Sequence, residues 1–212
     1  MKNIIFWEEV LEKTPESYKK WFEEERKYLR KNILKNNKVL EVGCGEGRSI
    51  RDIIDITQNV TGIDNDEDAV KHAKYHFKKY PEVKILLANG RNHPFMDNSF
   101  DFVICMTTFA NFGEDKIKTL NEMKRVVKKE GFIIISVFSE NAFEERMKVY
   151  KKLNAPIKEI RGTTVIFDES LGSNTSEQFS LVQLKELFNK VKLKLIEVEK
   201  LSIAYICKLN KN

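Results

Sequence analysis

The sequence predicts one α/β domain around a seven-stranded, mostly parallel sheet wound by helices on both faces, and three observations carry that reading. Short apolar segments of strand length alternate with amphipathic helical stretches between residues 39 and 138. The first of these segments, Val39-Leu40-Glu41-Val42, runs into a turn with glycine at 43, 45 and 47 before a helical stretch opens at Arg48. The last two segments, 193–198 and 202–207, are joined only by Glu199-Lys200-Leu201, a link too short for a crossover, so they should pair antiparallel.

The glycine turn organises the rest. Glycine tolerates positive φ and close backbone approach, and a strand-to-helix turn aims the N–H groups of the helix start at whatever binds there. A dinucleotide fingerprint would need glycine at position 48, where this chain has Arg48. A second apolar strand, 59–64, ends in Asp64, about twenty residues past the first glycine, where a nucleotide-binding α/β unit sets an acid against ribose hydroxyls. Asp66 and Asp68 read instead as the acidic start of the next helix, 69–80. His72 and His76 stand one turn apart on it, but no H-E-x-x-H and no third ligand accompany them, so no metal site is assigned.

Two helical pieces precede the turn. Phe6, Trp7, Val10 and Leu11 mark the first; Pro15 follows Thr14 at the start of the second, whose apolar stripe is Tyr18, Trp21, Phe22, Tyr28 and Leu29. After Pro81 come a third strand, 83–88, a loop 89–99, and a fourth strand, 100–105. A helix over 114–129, closed by Glu130-Gly131, leads to a fifth strand, 132–138, apolar on both faces and so covered by helices.

The spacing G-x-G-x-G with Glu41 two positions ahead resembles motif I of the class I S-adenosylmethionine-dependent methyltransferases. Pro94-Phe95-Met96-Asp97-Asn98-Ser99-Phe100-Asp101 is similar to that family's P-F-x-D-x-S-F-D segment. The resemblance covers residues 37–138 by motif and 179–208 by pattern. It implies a Rossmann-like fold, S-adenosylmethionine as cofactor, and methyl transfer by in-line displacement to a small-molecule acceptor. Glu41, Gly43, Cys44, Gly45, Gly47, Asp64 and Asn65 would then hold the cofactor. Asn89, where the family commonly has Asp, would accept from adenine through its side-chain oxygen, with Gly90 or Arg91 donating a backbone N–H to the ring. Main-chain carbonyls at Met106 and Thr107 would take the methionyl ammonium. Tyr18 and Trp21 are expected to look inward from an N-terminal lid, with Thr108, Phe109 and Asn111 on the acceptor side. His93, where the family has Leu, is a candidate active-site base.

The same resemblance divides the chain into a helical lid (1–34), a cofactor-binding core (35–138), a cap insertion (139–178) and a closing helix and hairpin (179–212). Within the cap, 142–153 reads as a helix, 157–168 as a hairpin turning near Arg161-Gly162, and 171–176 as polar loop. Ser180 caps the last helix, 181–190.

Composition narrows the function. The net charge of +5 comes from lysines interleaved with glutamates, the pattern of a solvated surface, and basic residues form no long block. The segment Thr107-Thr108-Phe109-Ala110-Asn111 stands where methyltransferases of base amino groups carry [D/N/S]-P-P-[Y/F/W], and no Pro-Cys pair is present for cytosine C5 chemistry. Nucleic acid is therefore not the expected partner. A protein or nucleic-acid methyltransferase, or a non-catalytic cofactor-binding module, remain the alternatives. No run of eighteen apolar residues suggests a membrane span, and the start M-K-N-I-I-F-W-E-E turns acidic too soon for a secretion signal. Cys44, Cys105 and Cys207 are odd in number and widely spaced, as in a reducing, cytoplasmic compartment.

Overall fold

The computed structural model describes residues 15–171 and 174–211. The expected first helical piece around Phe6 and Val10 lies outside them. Helix α1 (Glu16–Asn32) starts at Pro15 and turns Tyr18, Trp21, Glu25, Tyr28 and Leu29 inward, the i, i+3, i+7 spacing of a single helical face.

The main sheet is built from β1 (Val39–Val42), β2 (Val60–Asp64), β3 (Lys84–Leu87), β4 (Phe100–Met106), β5 (Val127–Phe138), β9 (Leu193–Leu201) and β10 (Ala204–Lys211). Their order is β3-β2-β1-β4-β5-β10-β9. The first five run parallel, and β10 is antiparallel to both β5 and β9. The chain builds outward from β1 in one direction and returns to β4 on its other side. A crevice opens between the carboxyl ends of such strands. Helices α2 (Arg48–Ile53), α3 (Glu67–His76), α4 (Lys116–Val126) and α6 (Leu181–Lys190) make the remaining connections. Asp66 caps α3 by accepting from Ala69 N, and Ser180 with Gln183 forms a capping box on α6.

Three expected boundaries move. Helix α4 ends at Val126, not at Glu130-Gly131, and the chain passes directly into β5. The pairing of β4 with β5 jumps from Phe100↔Val127 to Phe102↔Phe132. Gly131 sits in that irregularity because a Cβ there would lie 2.6 Å from the Asp101 carbonyl oxygen. The closing hairpin turns at Ser202-Ile203, so both its strands are longer than expected. In the cap, helix α5 (Phe143–Lys152) and the hairpin β6 (Ile157–Arg161) and β7 (Thr164–Phe167) are as expected. Residues read as loop supply a third strand, β8 (Thr175–Ser176), through pairing of Ser176 with Val165.

Candidate active site

A cavity of about 550 Å³ opens where the carboxyl ends of β1, β2 and β4 meet, roofed by α1 and by the cap. The glycine turn forms its floor. Gly43 N and Cys44 N both donate to Ile63 O, at 2.8 and 3.0 Å. Gly45 N donates to Asp64 Oδ2 at 2.8 Å, and Gly47 N to Cys44 O at 2.8 Å. These amides were expected to be offered to a ligand; they are spent instead on fixing the turn, which leaves recognition to side chains and to the helix start. Gly43 has φ +74°, and a Cβ on it would lie 2.3 Å from Thr108 Cγ2. Thr108 also donates its hydroxyl to Gly43 O at 2.8 Å, tying the turn to the loop after β4.

Gly47 does not line the cavity. Its Cβ position faces Phe77, so its glycine serves packing at the start of α2. Cys44 lines the cavity but is buried, and burial pushes its thiol well above the ordinary range. It is a small apolar wall rather than a nucleophile.

Asp64 ends β2 at the cavity and anchors two backbone amides, those of Gly45 and of Asp66 at 3.0 Å. Burial raises its pKa, and the amide bonds oppose the shift. Asn65 lies beside it on the cavity wall. Glu41 is wholly buried at the end of β1, and its Oε2 has no hydrogen-bond partner among the described residues. Burial pushes its pKa up to about 8, against the opposing pull of Arg48 and a hydrogen bond from Ser49. An orphaned acceptor facing a cavity is a place for a cationic or donor group.

Asn89, Gly90 and Arg91 line the opposite wall. The Asn89 side-chain oxygen accepts from Arg91 N at 2.9 Å and Arg91 Nε at 3.0 Å, so its expected adenine-accepting atom is already engaged within its own turn. Arg91 reaches on to Asp115 at 2.9 Å. Met106 and Thr107 sit where β4 leaves the sheet, and Thr107 holds φ +66°. A β-branched residue in the left-handed region is strained, and such strain gathers at functional edges.

Beneath α1, Tyr18 and Trp21 do face inward, both buried against Phe138, with Trp21 Nε1 donating to Ser136 Oγ at 2.8 Å. Thr108 and Asn111 line the cavity. Phe109 does not: it is fully buried against Phe112 and Phe179 beneath the loop. Nor does His93. Its ring is buried outside the cavity, and neither ring nitrogen has a hydrogen bond of normal length among the described residues. Its backbone N–H donates to Glu122 at 3.0 Å, while burial holds the imidazole below its ordinary pKa. A proton carrier must reach its substrate; this one does not.

Sequence reasoning missed several wall residues. Arg48 is one, held by an ion pair of 2.6 Å to Glu25, which lies behind it and does not line the cavity. Tyr150, Thr175 and Ser176 enter from the cap. Helical spacing carried part of that signal, since Ala142, Arg146, Val149, Tyr150 and Leu153 share one buried face. The described residues contain no cluster of His, Cys, Asp or Glu suited to a metal ion. No helix among them is long and apolar enough to cross a membrane.

A glycine turn at the switch point, an acid closing the second strand and an antiparallel final strand pair define the Rossmann-like methyltransferase architecture. Residues 40–135 match the family described as Methyltransferase domain. The chain is 28% identical to an uncharacterized protein of Methanocaldococcus jannaschii, over 91% of this chain and 99% of that one. It is 29% identical to the demethylmenaquinone methyltransferase of Staphylococcus saprophyticus over 67% of this chain, and spans only 62% of that relative's length. A SAM-dependent methyltransferase from Aquifex aeolicus has the same fold, with a TM-score of 0.68 at 18% identity over 95% of this chain and 96% of that one. Over residues 40–135 the chain is thus similar to methyltransferase domains, and its fold is that of S-adenosylmethionine-dependent methyltransferases.

Proposed function

We propose that this enzyme transfers the methyl group of S-adenosylmethionine to a small-molecule acceptor by in-line displacement. The observation that carries the small-molecule reading is the roof: α1 and the cap enclose the cavity from the acceptor side, leaving room for a compact molecule rather than a polymer. The demethylmenaquinone methyltransferases among its relatives, named for a small acceptor, support the same reading.

S-adenosylmethionine supplies a sulfonium-activated methyl group, and the protein supplies position. Asp64 keeps carboxylate lone pairs for the ribose hydroxyls after binding two amides, and Asn65 flanks it. The free Oε2 of Glu41 would accept from the methionyl ammonium, with the Met106–Thr107 backbone beside it. The glycine turn needs no reorganisation on binding, because its amides are already tied. Tyr18, Trp21 and Phe138 exclude water from the transfer point, so orientation and effective concentration account for most of the rate. The free, buried cysteines support a cytoplasmic setting.

Calorimetry with S-adenosylmethionine and S-adenosylhomocysteine, followed by turnover on a panel of small acceptors, tests the reading. The expected outcome is binding of both nucleosides, loss of about tenfold or more in affinity on Asp64→Ala, and methylation of a small acceptor. Undiminished binding by Asp64→Ala would remove the ribose assignment. Turnover confined to protein or nucleic acid would overturn the small-molecule acceptor, as would tight binding with no turnover on any acceptor class.

A further inference from the structure

Arg146 is a wholly buried cation with no carboxylate partner among the described residues. It rises from α5 into the cap, behind the cavity wall. Its Nη1 donates to Thr163 O at 3.1 Å and to Gln178 Oε1 at 2.9 Å. Its Nη2 donates to Ser176 O and, at 2.9 Å, to Ser176 Oγ. The guanidinium lies over the rings of Phe138 and Tyr150, at 5.1 and 6.0 Å. The acid next to it on α5, Glu145, is taken by Lys148 at 2.5 Å and by Ser17 at 2.7 Å. Glu177, beyond Ser176, is taken by Lys116 at 2.6 Å. Carbonyl and hydroxyl oxygens receive the Nη protons, Nε has no partner among the described residues, and the charge is left uncompensated; a buried charge without a counter-ion is expensive.

The cavity wall in front of Arg146 is made of hydroxyls with protons to give. Tyr150 Oη and Ser176 Oγ are hydrogen-bonded at 2.8 Å, which uses one of their two protons and leaves the other. Tyr18 Oη and Thr175 Oγ1 are buried, belong to residues that line the same cavity, and have no hydrogen-bond partner among the described residues. Burial holds the Tyr18 phenol protonated, with the nearby Arg146 only partly offsetting that shift. The cavity's buried and half-buried acids, Glu41, Glu46, Asp64 and Asp66, lie instead along the glycine turn and the end of β2. Glu114 is exposed at the rim, and Asp115 is paired with Arg91. The site is therefore acidic along the glycine turn and the end of β2, and donor-rich beneath the cap, with the Arg146 charge behind that wall.

We infer that the cap side of the cavity is an oxyanion subsite and that the methyl acceptor carries a carboxylate, received by Tyr18, Thr175 and the Tyr150–Ser176 pair with Arg146 as counter-charge behind Ser176. This deepens the methyltransferase reading and rests on it. A neutral amide or alcohol would use the hydroxyl donors but leave the guanidinium unmatched. A phosphate dianion would bring more charge than one shielded cation balances. Hydrogen bonds to an ionised group are the stronger kind, so the carboxylate should be selected over its uncharged isostere.

The test is calorimetric titration of the S-adenosylhomocysteine-loaded protein with matched fragments: benzoate against benzamide, phenylacetate against phenylacetamide, indole-3-acetate against indole-3-acetamide, and phenyl phosphate. At least one carboxylate should bind about tenfold or more tightly than its amide and more tightly than phenyl phosphate. Tyr18→Phe and Ser176→Ala should each cut that preference about fivefold or more, with S-adenosylhomocysteine affinity close to the parent's; Tyr18→Phe should keep the parent's thermal midpoint, while Ser176→Ala, which strands the Tyr150 hydroxyl and an Arg146 N–H, should lower it. Arg146→Gln, which keeps donors but drops the charge, should abolish the preference if it folds. Equal binding of acid and amide across all pairs, binding of none of them, or a preference that survives both hydroxyl variants would overturn the subsite. Tighter binding of phenyl phosphate would replace carboxylate by phosphate. Failure to bind S-adenosylhomocysteine would be a failure of the methyltransferase reading, separate from this one.

Discussion

Glu25 and Arg48 form an ion pair of 2.6 Å between the middle of α1 and the first residue of α2, directly under the glycine turn. Glu25 is fully buried, Arg48 lies over the Phe22 ring at 4.3 Å, and a second acid, Asp52, stands 3.7 Å away. The pair ties the roof to the floor of the site, beside the bonds from Arg30 to Asp52 O and Asp55 and from Trp21 to Ser136. Removing one partner of a buried pair strands the other charge. Glu25→Ala should therefore destabilise the protein by about 3 kcal/mol, read as a lower denaturation midpoint, and loosen α1 in hydrogen exchange. Glu25→Gln, which retains a polar partner for Arg48, should lose less. A Glu25→Ala midpoint equal to the parent's would show that the remaining contacts of α1, among them Arg30 with Asp55 and Trp21 with Ser136, hold it without this pair.

The glycines of the turn should separate by readout. Alanine at Gly43 meets both a left-handed φ of +74° and the Thr108 methyl at 2.3 Å. Strain of that kind costs about 1–3 kcal/mol before the clash is counted. Gly45, which lines the cavity, also has positive φ, +51°, but its Cβ position is in open space with nothing within 4 Å. Gly43→Ala should thus fail mainly in thermal stability, and Gly45→Ala mainly in S-adenosylmethionine affinity. Paired melting curves and titrations check this; equal loss of stability in both would refute the division.

Glu41 links protonation to stability and to cofactor. Its pKa of about 8, raised by burial, lies above the carboxylate value of an unfolded chain. The folded state therefore binds the extra proton between those two values. Stability from this group is complete below the unfolded pKa and is lost as pH rises toward 8, by at most about 1.4 kcal/mol per pH unit. Glu41→Gln should flatten that slope. A methionyl ammonium would favour the ionised carboxylate, so cofactor binding at pH 7 should release a proton, measurable as a dependence of binding heat on the buffer's ionisation enthalpy. Absence of proton release in the parent would mean that Glu41 does not meet the ammonium.

The parts of this fold that were legible in the sequence are those whose physics is local. Val39 to Asp64 carries strand, glycine turn, helix and terminal acid as a contiguous pattern, and each appears where the pattern sets it. The capping chemistry of Asp66 and Ser180 was legible for the same reason. Gly131 misled because glycine after a helix usually marks its stop, whereas here a close approach to Asp101 O demands it inside a strand irregularity. Phe109 misled because a loop at the functional edge presents alternate residues to cavity and core, and only packing decides which. Arg146 and Ser176 meet across thirty residues, a contact with no local trace.

His93 offers the sharpest separation of fold from chemistry. Both its ring nitrogens are buried without a hydrogen bond of normal length among the described residues, and Glu122 Oε2 stands 4.0 Å from Nδ1. Burial depresses its pKa, so the folded state keeps it neutral while an unfolded chain would bind a proton. That group's contribution is present above the unfolded histidine pKa and fades as pH falls toward the depressed folded value. Replacing the ring by an apolar side chain of similar reach removes buried polar atoms that are at best weakly partnered, where burial without a full hydrogen bond costs on the order of 1–3 kcal/mol. His93→Leu should therefore be neutral to stabilising at pH 7, should resist mild acid better than the parent, and should keep the parent's turnover on any acceptor. The measurements are urea midpoints at pH 5 and pH 7 beside methyl-transfer rates. A hundredfold fall in rate with the midpoints unchanged would return His93 to the chemistry, because a general base contributes about that much and a buried packing residue contributes none.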